Sequence, residues 1–129
     1  MADKPEANFD WVTARRQCSG PIMLEALREQ VKANVARWNE LATKERFKFR
    51  ETEEIGKYAF AVFDITGSAR RASDFSWDGE AINIALHTGE NLRVTFGLND
   101  EGQCKFIIGK EVGLDPWQVA RRALEGLMF

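Results

Sequence analysis

The side chains able to do chemistry are few and scattered. His87 is the only histidine in the chain, and an imidazole works as a general base when a carboxylate orients it. Asp64, Asp74 and Asp78 are available, but no spacing sets one of them beside it. The expectation is a solvated strand histidine near a loop. One histidine also cannot build a His-rich metal site. Carboxylates cluster twice. Glu51 and Glu53 share one face of a strand, with Glu54 beside them; charge on an edge strand blocks aggregation, and that reading outweighs a paired-carboxylate mechanism. Asp100 and Glu101 sit in the turn Asn99-Asp100-Glu101-Gly102, which reads as polar capping and lacks the ligand spacing of a calcium loop. There is no Gly-rich phosphate loop and no nucleophile elbow. No catalytic residue, cofactor or metal is assigned from the sequence, and the balance leans away from an enzyme.

Arginine occurs in three adjacent pairs: Arg15-Arg16, Arg70-Arg71 and Arg121-Arg122. Brought together they would hold an anion. Neighbours on a helix diverge, so each helical pair aligns one side chain, and solvated faces are the simpler reading. Cys18 and Cys104 belong to no C-x-x-C pair or metal-ligand spacing. Both read as structural thiols, Cys104 on the apolar side of a strand. With no export signal between Met1 and Trp11, a reducing cytoplasm is expected, and a disulfide is not.

Composition narrows the class further. At 129 residues, 44% hydrophobic and 29% charged, the chain is neither disordered nor fibrous. The formal net charge of −2 excludes a strongly basic nucleic-acid binder, and nucleic acid is not an expected partner. No apolar run approaches the ~18–20 residues of a membrane helix, so no membrane is expected.

The elements that must position these residues follow from periodicity. Residues 1–8 read as a mobile tail, and 9–129 as one domain. A short helix over about 9–17 starts near Asp10, with Trp11 and Val12 as its apolar contacts. A long helix from about 20 to 45 starts at Gly20-Pro21. It carries Leu24, Leu27, Val31, Val35, Trp38 and Leu41 at helical spacing. The period then changes to two. Phe47 and Phe49 mark the first strand and Glu54-Ile55-Gly56 a turn. Tyr58 to Ile65 forms a second strand, and Gly67–Ala72 a loop. Asp78-Gly79 reads as a two-residue hairpin turn that opposes Trp77 to Glu80, Phe75 to Ile82 and Ser73 to Ile84. Strands containing Leu92–Leu98 and Cys104–Ile108 follow, joined by loops of odd length for which three residues with a glycine are natural. Asp115, Pro116 and Gln118 start a last helix with a capping box. The expected fold is α+β: short and long N-terminal helices, an antiparallel meander of about six strands, and a C-terminal helix packed on the sheet. In outline this order resembles cystatin-like and helix-grip folds, which serve ligand carriers, enzymes and interaction modules alike.

The second sheet face is the feature that bears on function. Ala59, Ala61, Ala85, Thr95 and Gly97 are small, and Phe63, Ile65 and Ile107 are apolar. A merely solvated face should carry more long charged side chains. The leading expectation is therefore a non-enzymatic binding or protein-interaction module, a homodimer through Ala59, Ala61, Ala85, Thr95 and Ile107. The alternative is a pocket for a small ligand, with weak hydrolase or isomerase chemistry, whose mouth would lie nearest Trp38, Trp77, His87, Arg93 and Phe96.

Overall fold

The computed structural model describes residues 9–54, 57–66 and 71–129. The expected tail over 1–8, the turn at Ile55-Gly56 and Arg70 lie outside these residues. The described residues form α1 (Trp11–Gln17), α2 (Gly20–Ala42), β1 (Phe47–Glu54), β2 (Lys57–Asp64), β3 (Arg71–Trp77), β4 (Ile82–Ala85), β5 (Asn91–Leu98), β6 (Cys104–Ile108), β7 (Glu111–Leu114) and α3 (Pro116–Leu124). The strands make one open antiparallel sheet in the order β1-β2-β3-β4-β5-β6-β7, each paired with its chain neighbour. The architecture is α+β as expected, with a seventh strand that the alternation did not reveal. β7 is four residues long, and its pairing with β6 is irregular between Phe106 and Ile108. Gly113 within it has φ +72°, so no clean period of two survives there.

One layer of helices covers one face of the sheet. Phe47, Phe60, Val62, Phe75, Ile82, Ile84, Val94, Phe106 and Leu114 point the same way. They form a single core with Leu24, Leu27, Val31 and Val35 of α2 and Val119, Ala120, Ala123 and Leu124 of α3. Phe60 and Phe75 stack at its centre, ring centroids 4.6 Å apart. Asn39 ties the end of α2 to β1: its Oδ1 accepts from the N–H groups of Arg46 and Phe47, and its amide donates to the Phe47 carbonyl at 2.9 Å. The stripe of α2 stops short of expectation. Leu41 is 67% exposed, because Thr43 at φ +59° ends the helix just beyond it. On β3, the buried Ser73 hydroxyl donates to the Ala123 carbonyl near the end of α3 at 2.9 Å. The return half of the α3 capping box is in place, the Asp115 N–H donating to Gln118 Oε1 at 2.8 Å.

The hairpins test the register. Between β3 and β4, Trp77 opposes Ile82 and Phe75 opposes Ile84. The central turn pair is therefore Gly79-Glu80, one residue later than expected, with Gly79 at φ +99°. The reason is the Asp78 side chain, whose Oδ1 accepts from the N–H groups of Glu80 and Ala81 at 2.8 Å each. Asp78 thus flanks the turn and does not occupy its centre. Facing parity is unchanged by this shift. The next two hairpins close with three-residue loops, 87–89 and 100–102, ending in Gly89 and Gly102 at positive φ, as expected.

Two expectations about the N-terminus are corrected. Cys18 and Cys104 form a disulfide, with Cα atoms 5.4 Å apart. Their separation of 86 residues hid the proximity that packing creates. In addition, Trp11 and Val12 do not enter the core: α1 has no buried residue, Val12 is 73% exposed, and Trp11 packs edge-on against Phe9 at 5.0 Å. The bond and the Phe9 ring, which lies against Gly102, fasten this segment instead. Among the described residues no helix is long and apolar enough to cross a membrane.

Candidate functional site

Of the five residues expected around a ligand mouth, Trp77 and Phe96 meet, while Trp38, His87 and Arg93 occupy separate places. Trp38 packs edge-on against Phe47 at 4.9 Å, with the Arg46 guanidinium 5.3 Å from its ring. Trp77 lies 5.9 Å from Phe96, and these two do meet. The Trp77 ring also presses on the first turn of α2, where a Cβ on Gly20 would fall 2.2 Å from its Cζ2. That contact makes Trp77 part of the packing. Arg93 is on the opposite sheet face, 3.4 Å from both Asp78 and Glu80.

His87 differs from its expectation. It opens the three-residue loop after β4, and its ring turns toward the end of α3, where a Cβ on Gly126 would meet Cε1 at 2.8 Å. The ring is half-buried, and its Nδ1 makes no hydrogen bond among the described residues. No carboxylate contacts it there. The expected solvated strand histidine is thus a loop histidine packed on a helix end.

Several of the charged groups are held by internal pairs. Glu51 pairs with Arg28, which also binds Glu25 and Glu29. Arg71 contacts Asp64 at 3.8 Å and the Gly126 carbonyl, while Arg122 pairs with Glu111. Of the arginine pairs, Arg71 and Arg122 are therefore held by different partners in different places. Asp78 holds its carboxyl well below the usual range: Asn83 donates to it at 2.7 Å, the Ala81 and Glu80 N–H groups add to that, and Arg93 contributes charge. At Asp64 burial acts to raise the carboxyl, but hydrogen bonds from Thr66 and Arg46 prevail and lower it. Each of these groups fixes local structure. Asn99 Oδ1 likewise caps its loop by accepting from Glu101 and Gln103.

The sheet face opposite the helices is what the fold leaves open. The cross-strand row Arg50-Ala61-Asp74-Ala85-Asn91 runs from β1 to β5. Beside it runs Ala59-Ser76-Asn83-Arg93. Between Arg50 and Arg93 no side chain in these rows is longer than asparagine. Toward the β6 side, Thr95 opposes Ile107, whose Cδ1 comes within 4.0 Å of the place a Cβ on Gly97 would take. Of the expected interface residues, Ala85 is exposed, Ala59, Thr95 and Ile107 are half-buried, and Ala61 is buried beneath its neighbours. Phe63 is half-buried, with the Arg50 guanidinium over its ring at 5.5 Å. Asp74 is exposed and, among the described residues, has no ion-pair or hydrogen-bond partner. Chemically the face offers a shallow trough of short side chains, flanked by cations, with the carboxylate of Asp74 unpaired among the described residues.

A site of another kind lies on the helical side. Trp117 and Phe129 are exposed apolar side chains. They line a groove with Asn34 and Arg121. The sequence points to Arg121 only as a member of an arginine pair on a solvated face and does not single out Trp117 or Phe129. The helical spacing of Trp117 and Arg121 was the available signal. Comparison with protein-family models, with curated proteins and with solved structures gives no match.

Proposed function

We propose that the protein is a non-enzymatic interaction module that self-associates through the open sheet face. The observation that carries this reading is the segregation of the helices. All of the sheet's large apolar core residues face α2 and α3, while the other face carries short side chains across its centre. Short side chains let two sheets approach to the ~10 Å of a packed sandwich. A two-fold axis requires the surface to complement itself. Arg50 and Asp74 meet that condition, because they share a row two strands apart and Asp74 has no partner among the described residues. In the symmetric pair, Arg50 of one copy meets Asp74 of the other.

The test is mass in solution by sedimentation equilibrium. The expected species is twice 14.7 kDa. Ala85→Arg or Ile107→Glu should leave the fold intact and give the monomer mass. Asp74→Arg should do the same, and the charge swap Arg50→Asp with Asp74→Arg should restore the dimer. A monomeric native protein, or a dimer indifferent to all three single substitutions, refutes the reading.

A further inference from the structure

We infer that the groove between α2 and α3 binds a small organic carboxylate with a flat apolar body. The groove holds about 400 Å³ and is lined by Asn34, Trp117, Arg121 and Phe129. That volume falls in the lower part of the ~300–1,000 Å³ range of ligand pockets. Its walls are aromatic: Trp117 is 54% exposed and Phe129 58%. Trp117 and Arg121 are one helical turn apart on α3, so the indole and the guanidinium share a face.

The polar groups select the ligand's charge. Arg121 makes no ion pair and no hydrogen bond among the described residues. Its neighbour Arg122, by contrast, is held by Glu111. Asn34 Oδ1 accepts from Gln30 Nε2 at 3.0 Å, which leaves its amide N–H groups for a ligand. The side chains of the groove therefore offer a guanidinium and an amide N–H as donors. A carboxylate is the matching acceptor-only group. A planar guanidinium binds it through two parallel hydrogen bonds. The aromatic walls then favour a flat apolar body beside that head. This site is on the helical layer, so it goes beyond self-association and stands or falls independently of it.

The experiment is a titration of the full chain with 2-naphthoate, read by the NMR shifts of the Trp117 indole N–H and the Asn34 side-chain amide. The neutral control is 2-naphthalenemethanol. Saturable shifts at both positions are expected with naphthoate. The alcohol should bind at least about tenfold more weakly, since a charge-assisted pair is lost. Arg121→Gln should weaken naphthoate by at least about the same factor. Arg121 is exposed, and an unchanged amide spectrum verifies that the variant folds. Trp117→Ala should weaken both probes. Equal affinity for the alcohol, an indifferent Arg121→Gln variant, or absence of saturable shifts at Trp117 and Asn34 overturns the proposal. N-acetylglycyltryptophan in the same titration separates two sources of the carboxylate: tighter binding than naphthoate points to a peptide C-terminus, weaker binding to a free acid.

Discussion

Single residues here divide by whether their neighbours leave them anything to do. Trp77 illustrates the division. Its type and its place at a strand end made it a reasonable ligand contact, but its ring is wedged against Gly20, where a Cβ would fall 2.2 Å away. A prediction follows whose sign two effects contest. Alanine favours a helix over glycine by about 1 kcal/mol in the interior, and by less in the first turn. Overpacking a fixed contact costs about 1–3 kcal/mol. The indole is rigid and the clash is severe, so Gly20→Ala should lower stability by about 1–2 kcal/mol net. Adding Trp77→Leu should recover part of that loss relative to Trp77→Leu alone. Urea midpoints of the four proteins decide it, and a Gly20→Ala variant as stable as the parent would show that the ring is free. Packing of this kind also decides which functional residues were legible. Residue type identified Arg93 and His87 as chemically able. It did not show that Arg93 is held by Asp78 and Glu80, or that His87 packs on the end of α3. Those facts depend on contacts between segments far apart in the chain.

Elements were more legible, because they follow from local rules. The box at Asp115 and the two three-residue hairpin loops each rest on neighbours within a few positions and formed as read, and the stripe of α2 formed as far as Val35 and Trp38. The exceptions have local causes too. Asp78 moved a turn by capping two N–H groups, and the irregular pairing of β7 erased its alternation. α1 is different, since it buries nothing of its own. The Cys18–Cys104 bond is its main tie to the sheet. Closing a loop of 86 residues restricts the unfolded chain by about 4–5 kcal/mol in the chain-entropy account. Reduction by an excess of dithiol, which is itself oxidised as the two thiols form, should therefore lower the denaturant midpoint. It should also speed tryptic cleavage at the exposed Arg15 and Arg16 while the strands stay protected. Alkylation followed by mass measurement checks the premise: two labels after reduction, none before. Two labels on the untreated protein would refute the pairing. The bond also bears on compartment. A cytoplasmic location was expected to keep both thiols free, and a persistent disulfide is more at home in an oxidising compartment.

At the scale of the whole molecule, the question is what a sheet gains by leaving one face open. A single layer of helices buries one set of alternating side chains and leaves the other set to be chosen freely. A face selected for water alone would carry long charged residues throughout. Here they stand at the flanks, as Lys48, Arg50, Arg93 and Lys105, and the centre is short. If that centre meets a second copy, folding and association are linked, and stability must depend on protein concentration. For a chain of 129 residues, the unfolding enthalpy of a dimer is about 180 kcal/mol. Each tenfold rise in concentration should then raise Tm by about 3 °C. The Ile107→Glu variant should show a Tm that does not move with concentration, because its unfolding is unimolecular. Scanning calorimetry over two decades of concentration measures both slopes. A flat native slope would mean that the trough is closed by nothing of its own kind. Parallel slopes in the two proteins would mean that the copies meet elsewhere, with the exposed aromatics of the α2–α3 groove as the next surface to alter.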